Sequence, residues 1–199
     1  MSNGDLRVGR VLRVSTRGFV IGCEVMRPEI PAFGSFVQAE GVAPGSLIYG
    51  LIYDVSIDDD LFARQFVVAN PPEEVVLDQR ENRQVPIEVS VLAIGCREGG
   101  HIRHNLPLQP PVTLDWLYQC DPQEVYAFTS HFGYFRLILE AREVPADELL
   151  AASLRAAAAV RPPSERRPFL VAAGRELARL LSGDPVRLEG VLSRLGVSD

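Results

Sequence analysis

Between Leu6 and about Arg97, apolar residues recur at every second position in short runs separated by glycine and proline. A period of two is the spacing of side chains on alternate faces of a strand, so this half of the chain predicts a β-rich unit. Strands are expected at 6–14, 18–26, 34–40, 46–57 and 87–96, with a further extended piece near 102–106. In 18–26, Phe19, Ile21, Cys23 and Val25 share one face, which reads Cys23 as a core thiol rather than a reactive one. In 46–57, Leu47, Tyr49, Leu51, Tyr53, Val55 and Ile57 lie on one side, and Ser46, Ile48, Gly50, Ile52, Asp54 and Ser56 on the other. A straight strand of that length would span about 40 Å, too long for a small domain, so it must curl, and Gly50 is the expected bend.

The segment 61–86 interrupts this rhythm with Pro71, Pro72 and the charged run DQRENR. Its mixed signs, from Asp78, Arg80, Glu81 and Arg83, predict a solvated loop with local ion pairs. After Pro107 the pattern turns helical. Asp121 and Pro122 supply an N-cap and a first helical position, and PADELLAASLRAAAAV at 145–160 is alanine-rich helix. Phe169, Ala173, Leu177 and Leu180 form the stripe of the next helix. Asp184 and Pro185 open another, with Leu188, Val191, Leu192 and Leu195 as its apolar face. The expected fold is therefore α+β: a small closed barrel of about six strands over 1–107, followed by a helical region over 108–199. Residues 145–199 fall short of the roughly 70–80 that hold a core alone, so they should pack on the barrel or on a partner chain.

Composition narrows the function classes. The chain has 199 residues, 47% of them hydrophobic, and carries a formal net charge of -6 with a pI near 5.2, so its surface as a whole repels phosphate backbones. Nucleic acid is not an expected partner. All twenty basic residues are arginine, which reads first as the mark of a GC-rich genome and second as a recognition feature. The absence of lysine rules out a GxxxxGK[ST] phosphate loop and Schiff-base chemistry within this chain. Cys23, Cys96 and Cys120 form an odd set, and MSNGDLRVGR lacks the apolar stretch of a secretion signal, so a cytoplasmic protein with free thiols is expected. No apolar run approaches the roughly 18 residues of a membrane-crossing helix.

Read in order, VGRVLRVSTRGFVIGCEV, PAFGSFVQAEG and SLIYGLIYDVS resemble the HAS-barrel, the β-barrel at the N-terminus of HerA-type DNA translocases and rotary ATP synthase subunits. The resemblance covers roughly half the chain, and LPLQPPVTLDW at 106–116 is similar to the proline-rich exit of some relatives. It implies an assembly collar that joins subunits of a hexameric ATPase and, in HerA-type systems, docks the partner nuclease. No Walker segment follows in this chain, so ATP hydrolysis is not implied and a stand-alone form is expected. The shared motifs are structural and carry over no catalytic residue.

Two clusters contain metal-ligand chemistry. Asp54, Asp58, Asp59 and Asp60 lack the glycine of a calcium loop, and acids at the end of a strand keep its tip soluble and discourage edge pairing. Cys96, His101 and His104, with Cys120 downstream, match no common closed zinc spacing and read as a solvated barrel loop. His131 reads as a packed or capping residue, and no G-x-S-x-G elbow is present. Phe19, Tyr49 and Tyr53 fall on core faces, so they are no platform for single strands. The expectation is a non-enzymatic interaction or assembly module without cofactor or metal. It would bind a HerA-type ATPase or nuclease, or further copies of itself, with Arg80 and Arg83 as interaction residues. The alternative is a metal-dependent nuclease or phosphoesterase using Asp54, Asp58 and Asp60 or the Cys96, His101 and His104 set.

Overall fold

The computed structural model describes residues 7–25, 32–57, 65, 68–69, 71–82 and 85–195. Its strands are β1 (Arg7–Val14), β2 (Gly18–Val25), β3 (Phe36–Glu40), β4 (Leu47–Ile57), β5 (Val85–Glu98), β6 (His101–Arg103) and β7 (Trp116–Gln119). They pair in the order β2-β1-β7-β3-β4-β5-β6, and β2 also pairs with β5. That extra pairing closes six strands into an antiparallel barrel and leaves β6 as a short hairpin arm on β5. The helices are α1 (Glu73–Asn82), α2 (Pro122–Phe128), α3 (Phe135–Leu139), α4 (Ala146–Ala159), α5 (Pro163–Leu180) and α6 (Pro185–Arg194). The fold is thus α+β, a small closed barrel followed mostly by helices, as the alternation and the later helical periods predicted.

Two separate cores hold it. Inside the barrel every strand of the cylinder contributes: Val11, Ile21, Val37, Ile52, Val89 and Leu117 are among the buried residues. Burial of this kind stabilises by about 25 cal/mol per Å² of apolar surface removed from water, and it fills the cylinder with the chain's own side chains. The second core lies outside the barrel wall. Phe36 of β3, Tyr49 and Leu51 of β4 and Leu92 and Ile94 of β5 pack there with helical residues such as Phe128, Leu149 and Leu177. Both faces of β4 are therefore buried from Ile48 to Ile52, one by the barrel and one by helices.

Local chemistry explains several element boundaries. Asp121 accepts from the Glu124 backbone N–H at 2.8 Å while Glu124 accepts from the Asp121 N–H at 3.0 Å, a reciprocal cap on α2. Asp184 caps α6 by accepting from the Arg187 N–H at 3.0 Å. Strand β3 starts at Phe36 rather than residue 34 because Gly34 has φ +82 and turns the chain. A side chain on Gly34 would overlap Ala152, so glycine there also lets α4 lie against the barrel.

Three findings depart from the sequence reading. The first concerns β4, whose pairing with β5 is irregular at Tyr49/Gly50 and again at Ile52/Asp54. The first irregularity adjoins Gly50, where the bend was expected and where a Cβ would overlap Val91, but its extra residue, Ile94, lies on β5. The second shifts the phase, so Val55 packs toward the barrel interior instead of joining Tyr49 and Leu51 outside. The second departure is α1, which occupies part of the segment expected to be loop, with Glu73 and Glu74 in its first turn, where carboxylates are favoured by the helix dipole. The third is β7, which bridges β1 and β3 and lies beyond Pro107, where alternation ends.

Candidate interaction surface

The helical core covers the outer faces of β3, β4 and β5. Among the described residues, no helical side chain belongs to a core with the opposite wall, formed by β1, β2 and β7. What that wall presents follows from the register of β1. Arginines at 7, 10 and 13 have a spacing of three, which a regular strand would split between its two faces. Register irregularities between Arg7 and Gly9 and between Val11 and Arg13 correct the phase. Arg7 then stands opposite Tyr118, Arg10 opposite Trp116 and Gly22, and Arg13 opposite Val20, while Val11 stands opposite the buried Ile21. The physical reason is that an unpaired guanidinium inside an apolar cylinder would cost far more than a bulge.

Trp116 anchors this strip. The Arg10 guanidinium carbon lies 3.8 Å from its ring centroid and that of Arg7 4.7 Å. Such stacking contributes about 0.5–1 kcal/mol at an exposed site and limits the rotamers each guanidinium samples. Arg10 also donates from Nη1 to the Leu114 carbonyl at 2.9 Å. Leu114 adopts φ +66, a left-handed conformation rare for leucine, and is 68% exposed. It is held there because its N–H donates to the Val11 carbonyl at 2.7 Å and the Val11 N–H donates to Asp115 at 3.0 Å. Leu12 is 45% exposed, and a Cβ on Gly22 would lie against it. Arg13 donates to Glu88 at 2.8 Å across the barrel wall, an exposed pair of small net energy. Arg17, in the turn after β1, is exposed as well.

The residues singled out from sequence lie elsewhere. Asp54 is exposed on β4, and Asp58, Asp59 and Asp60 fall outside the described residues. Arg80 falls within α1, and Arg83 lies outside the described residues. Cys96, His101 and His104 diverge: Cys96 is buried on β5, its Sγ 4.0 Å from Asn105 Oδ1, and His101 is exposed beside the β5–β6 turn. His104 is not the solvated loop residue expected. Its Nε2 lies 3.0 Å from the Phe128 carbonyl, and its ring packs edge-on to Phe128 and Tyr134, with centroids at 4.6 and 5.4 Å. Burial holds its pKa below the ordinary 6.5, against the raising effect of the Phe128 hydrogen bond. His131 is exposed rather than packed. Among the described residues, no three His, Cys, Asp or Glu side chains converge on one point. Burial pushes the Cys23, Cys96 and Cys120 thiols up, so each is held as a thiol rather than activated as a thiolate. Cys23 is only half-buried, at the margin of the barrel core.

Among the described residues, no helix is long and apolar enough to cross a membrane. Neither the protein-family models nor the curated proteins contain a match to the chain.

Proposed function

We propose that this protein is a non-enzymatic interaction and assembly module, whose barrel displays a binding surface rather than enclosing a reaction. The reading rests on the contrast between the two sides of the barrel wall: one is sealed by helices, and the other carries exposed arginines and leucines around a half-buried tryptophan. Arginine and tryptophan are the residues most enriched at energetic centres of protein interfaces, and here they are already in contact. The resemblance of the strand sequences to the HAS-barrel supports the same reading and suggests the partner class, a HerA-type ATPase or nuclease, or further copies of this chain.

Affinity capture from the native host, followed by light scattering on the eluate, tests it with three forms of the protein: wild type, Arg10→Glu, and Arg175→Glu as a control on the exposed face of α5. Wild type and Arg175→Glu are expected to retain a protein partner, or added copies of the chain, in fixed ratio, and Arg10→Glu to lose it. A monomer that retains nothing, or identical retention by all three, contradicts the proposal.

A further inference from the structure

We infer that Arg7 and Arg10, stacked on Trp116, bind an acidic segment of a partner protein, while Arg13 is already paired with Glu88. The inference rests on the interaction-module reading and names the chemistry of the partner. A guanidinium stacked on an indole keeps its N–H donors at its edge, directed away from the ring, where a carboxylate can accept two of them in parallel. Because the stack restricts Arg7 and Arg10 before binding, less side-chain entropy is lost when an acid arrives. The barrel is closed at β1, which has β2 on one side and β7 on the other, so an added strand has no free backbone edge to pair with. Recognition must therefore run through side chains, across the outer face of β1. Charge complementarity sets the sign, and exposed Leu12 and Leu114 offer apolar contacts between the acids.

Nucleic acid fits the same strip less well. A single strand gains affinity by stacking bases on free aromatic faces, and the Trp116 ring is capped by Arg10. A long phosphate backbone would also meet the field of a chain carrying a net charge of -6, whereas a short acidic segment can lie on Arg7 and Arg10 alone.

The single tryptophan of the chain lies at the centre of the strip and serves as a reporter. Its emission is followed while a tryptophan-free peptide of alternating glutamate and serine, long enough to span β1, is added at low salt. Fluorescein-labelled oligothymidylate of matching length is titrated in parallel by anisotropy. The expected result is saturable peptide binding, weakened at least about tenfold in the Arg7→Ser/Arg10→Ser double variant, a few-fold by Arg10→Lys, and not at all by Arg175→Ser. Circular dichroism confirms that each variant is folded. Absent peptide binding, or equal binding by the double variant, overturns the inference. Tighter binding of oligothymidylate through the same arginines also overturns it and makes the strip a nucleic-acid interface. If the captured partner is lost with Arg10→Glu while the acidic peptide never binds, the acidic-segment inference alone fails and the module reading stands.

Discussion

Phe128→Ala is expected to lower the unfolding free energy by about 4 kcal/mol, the largest loss of any single substitution considered for this chain. Phe128 ends α2, is 1% exposed, and joins the barrel wall to the helices. Its ring centroid lies 4.7 Å from that of Tyr49 on β4, 6.2 Å from Phe36 on β3, 4.6 Å from His104 and 5.4 Å from Tyr134. On β5, Gly95 makes room for it, because a Cβ there would approach the ring to 2.8 Å. Truncation removes these contacts and leaves a cavity between two rigid layers that cannot easily collapse. Urea unfolding followed by two probes checks the claim: Trp116 emission reports the barrel and far-ultraviolet dichroism the helices. Both transitions should move to lower urea together, because one outer core holds both layers. Movement of the helical signal alone would mean that the layers unfold separately.

The second large effect is at Arg161, which is 5% exposed although charged. Its guanidinium donates from Nη1 to the Ala157 carbonyl at 2.5 Å and from Nη2 to the Thr129 carbonyl at 3.1 Å. Those acceptors lie at the C-terminal ends of α4 and α2, where backbone carbonyls lack helical partners and the dipole favours a cation. The group also lies 3.6 Å from the Phe169 ring centroid and 4.9 Å from that of Tyr126. Arg161→Met keeps the apolar stem but orphans two carbonyls, and about 3 kcal/mol of stability should be lost. Arg161→Lys should restore only part of this, because one ammonium cannot reproduce the two-pronged geometry. Burial lowers the Arg161 pKa, yet a guanidinium stays protonated across the working range, so the effect should be the same from pH 6 to pH 9. Thermal and urea unfolding of the three forms measure it. A loss below about 1 kcal/mol for Arg161→Met would show that water or a shifted side chain satisfies those carbonyls.

Much of this architecture could be read from residue order alone, for reasons visible at particular positions. Alternation through Phe19, Ile21, Ile48 and Ile52 placed the barrel strands because a period of two survives wherever one face meets an apolar interior. Asp121 with Pro122, and Asp184 with Pro185, marked helix starts because capping is local chemistry. Strand β7 was hidden because it is only Trp116–Gln119, too short for a period, and is fixed by pairing with distant β1 and β3. Helix α1 was hidden by its polarity, which carries no apolar stripe to recognise.

The arginine strip was missed for a more instructive reason. In a regular strand arginines at 7, 10 and 13 alternate between faces, and only the bulges unite them. A usable signal was nonetheless present: in a strand that lines a filled barrel, no arginine can point inward, so a spacing of three already demanded irregular pairing. His104 had no comparable signal. Its place against Phe128 depends on a helix that begins well beyond it in the chain.

Both functional readings stand on one physical claim, that the β1 and β7 side of the barrel is open to solvent and locally cationic in an acidic protein. Collisional quenching of Trp116 by iodide and by caesium at equal low ionic strength tests it most directly. Iodide should quench more strongly than caesium, and its advantage should vanish in the Arg7→Ser/Arg10→Ser variant. Stronger quenching by caesium, as a net charge of -6 acting alone would produce, or a tryptophan that neither ion reaches, would contradict the account.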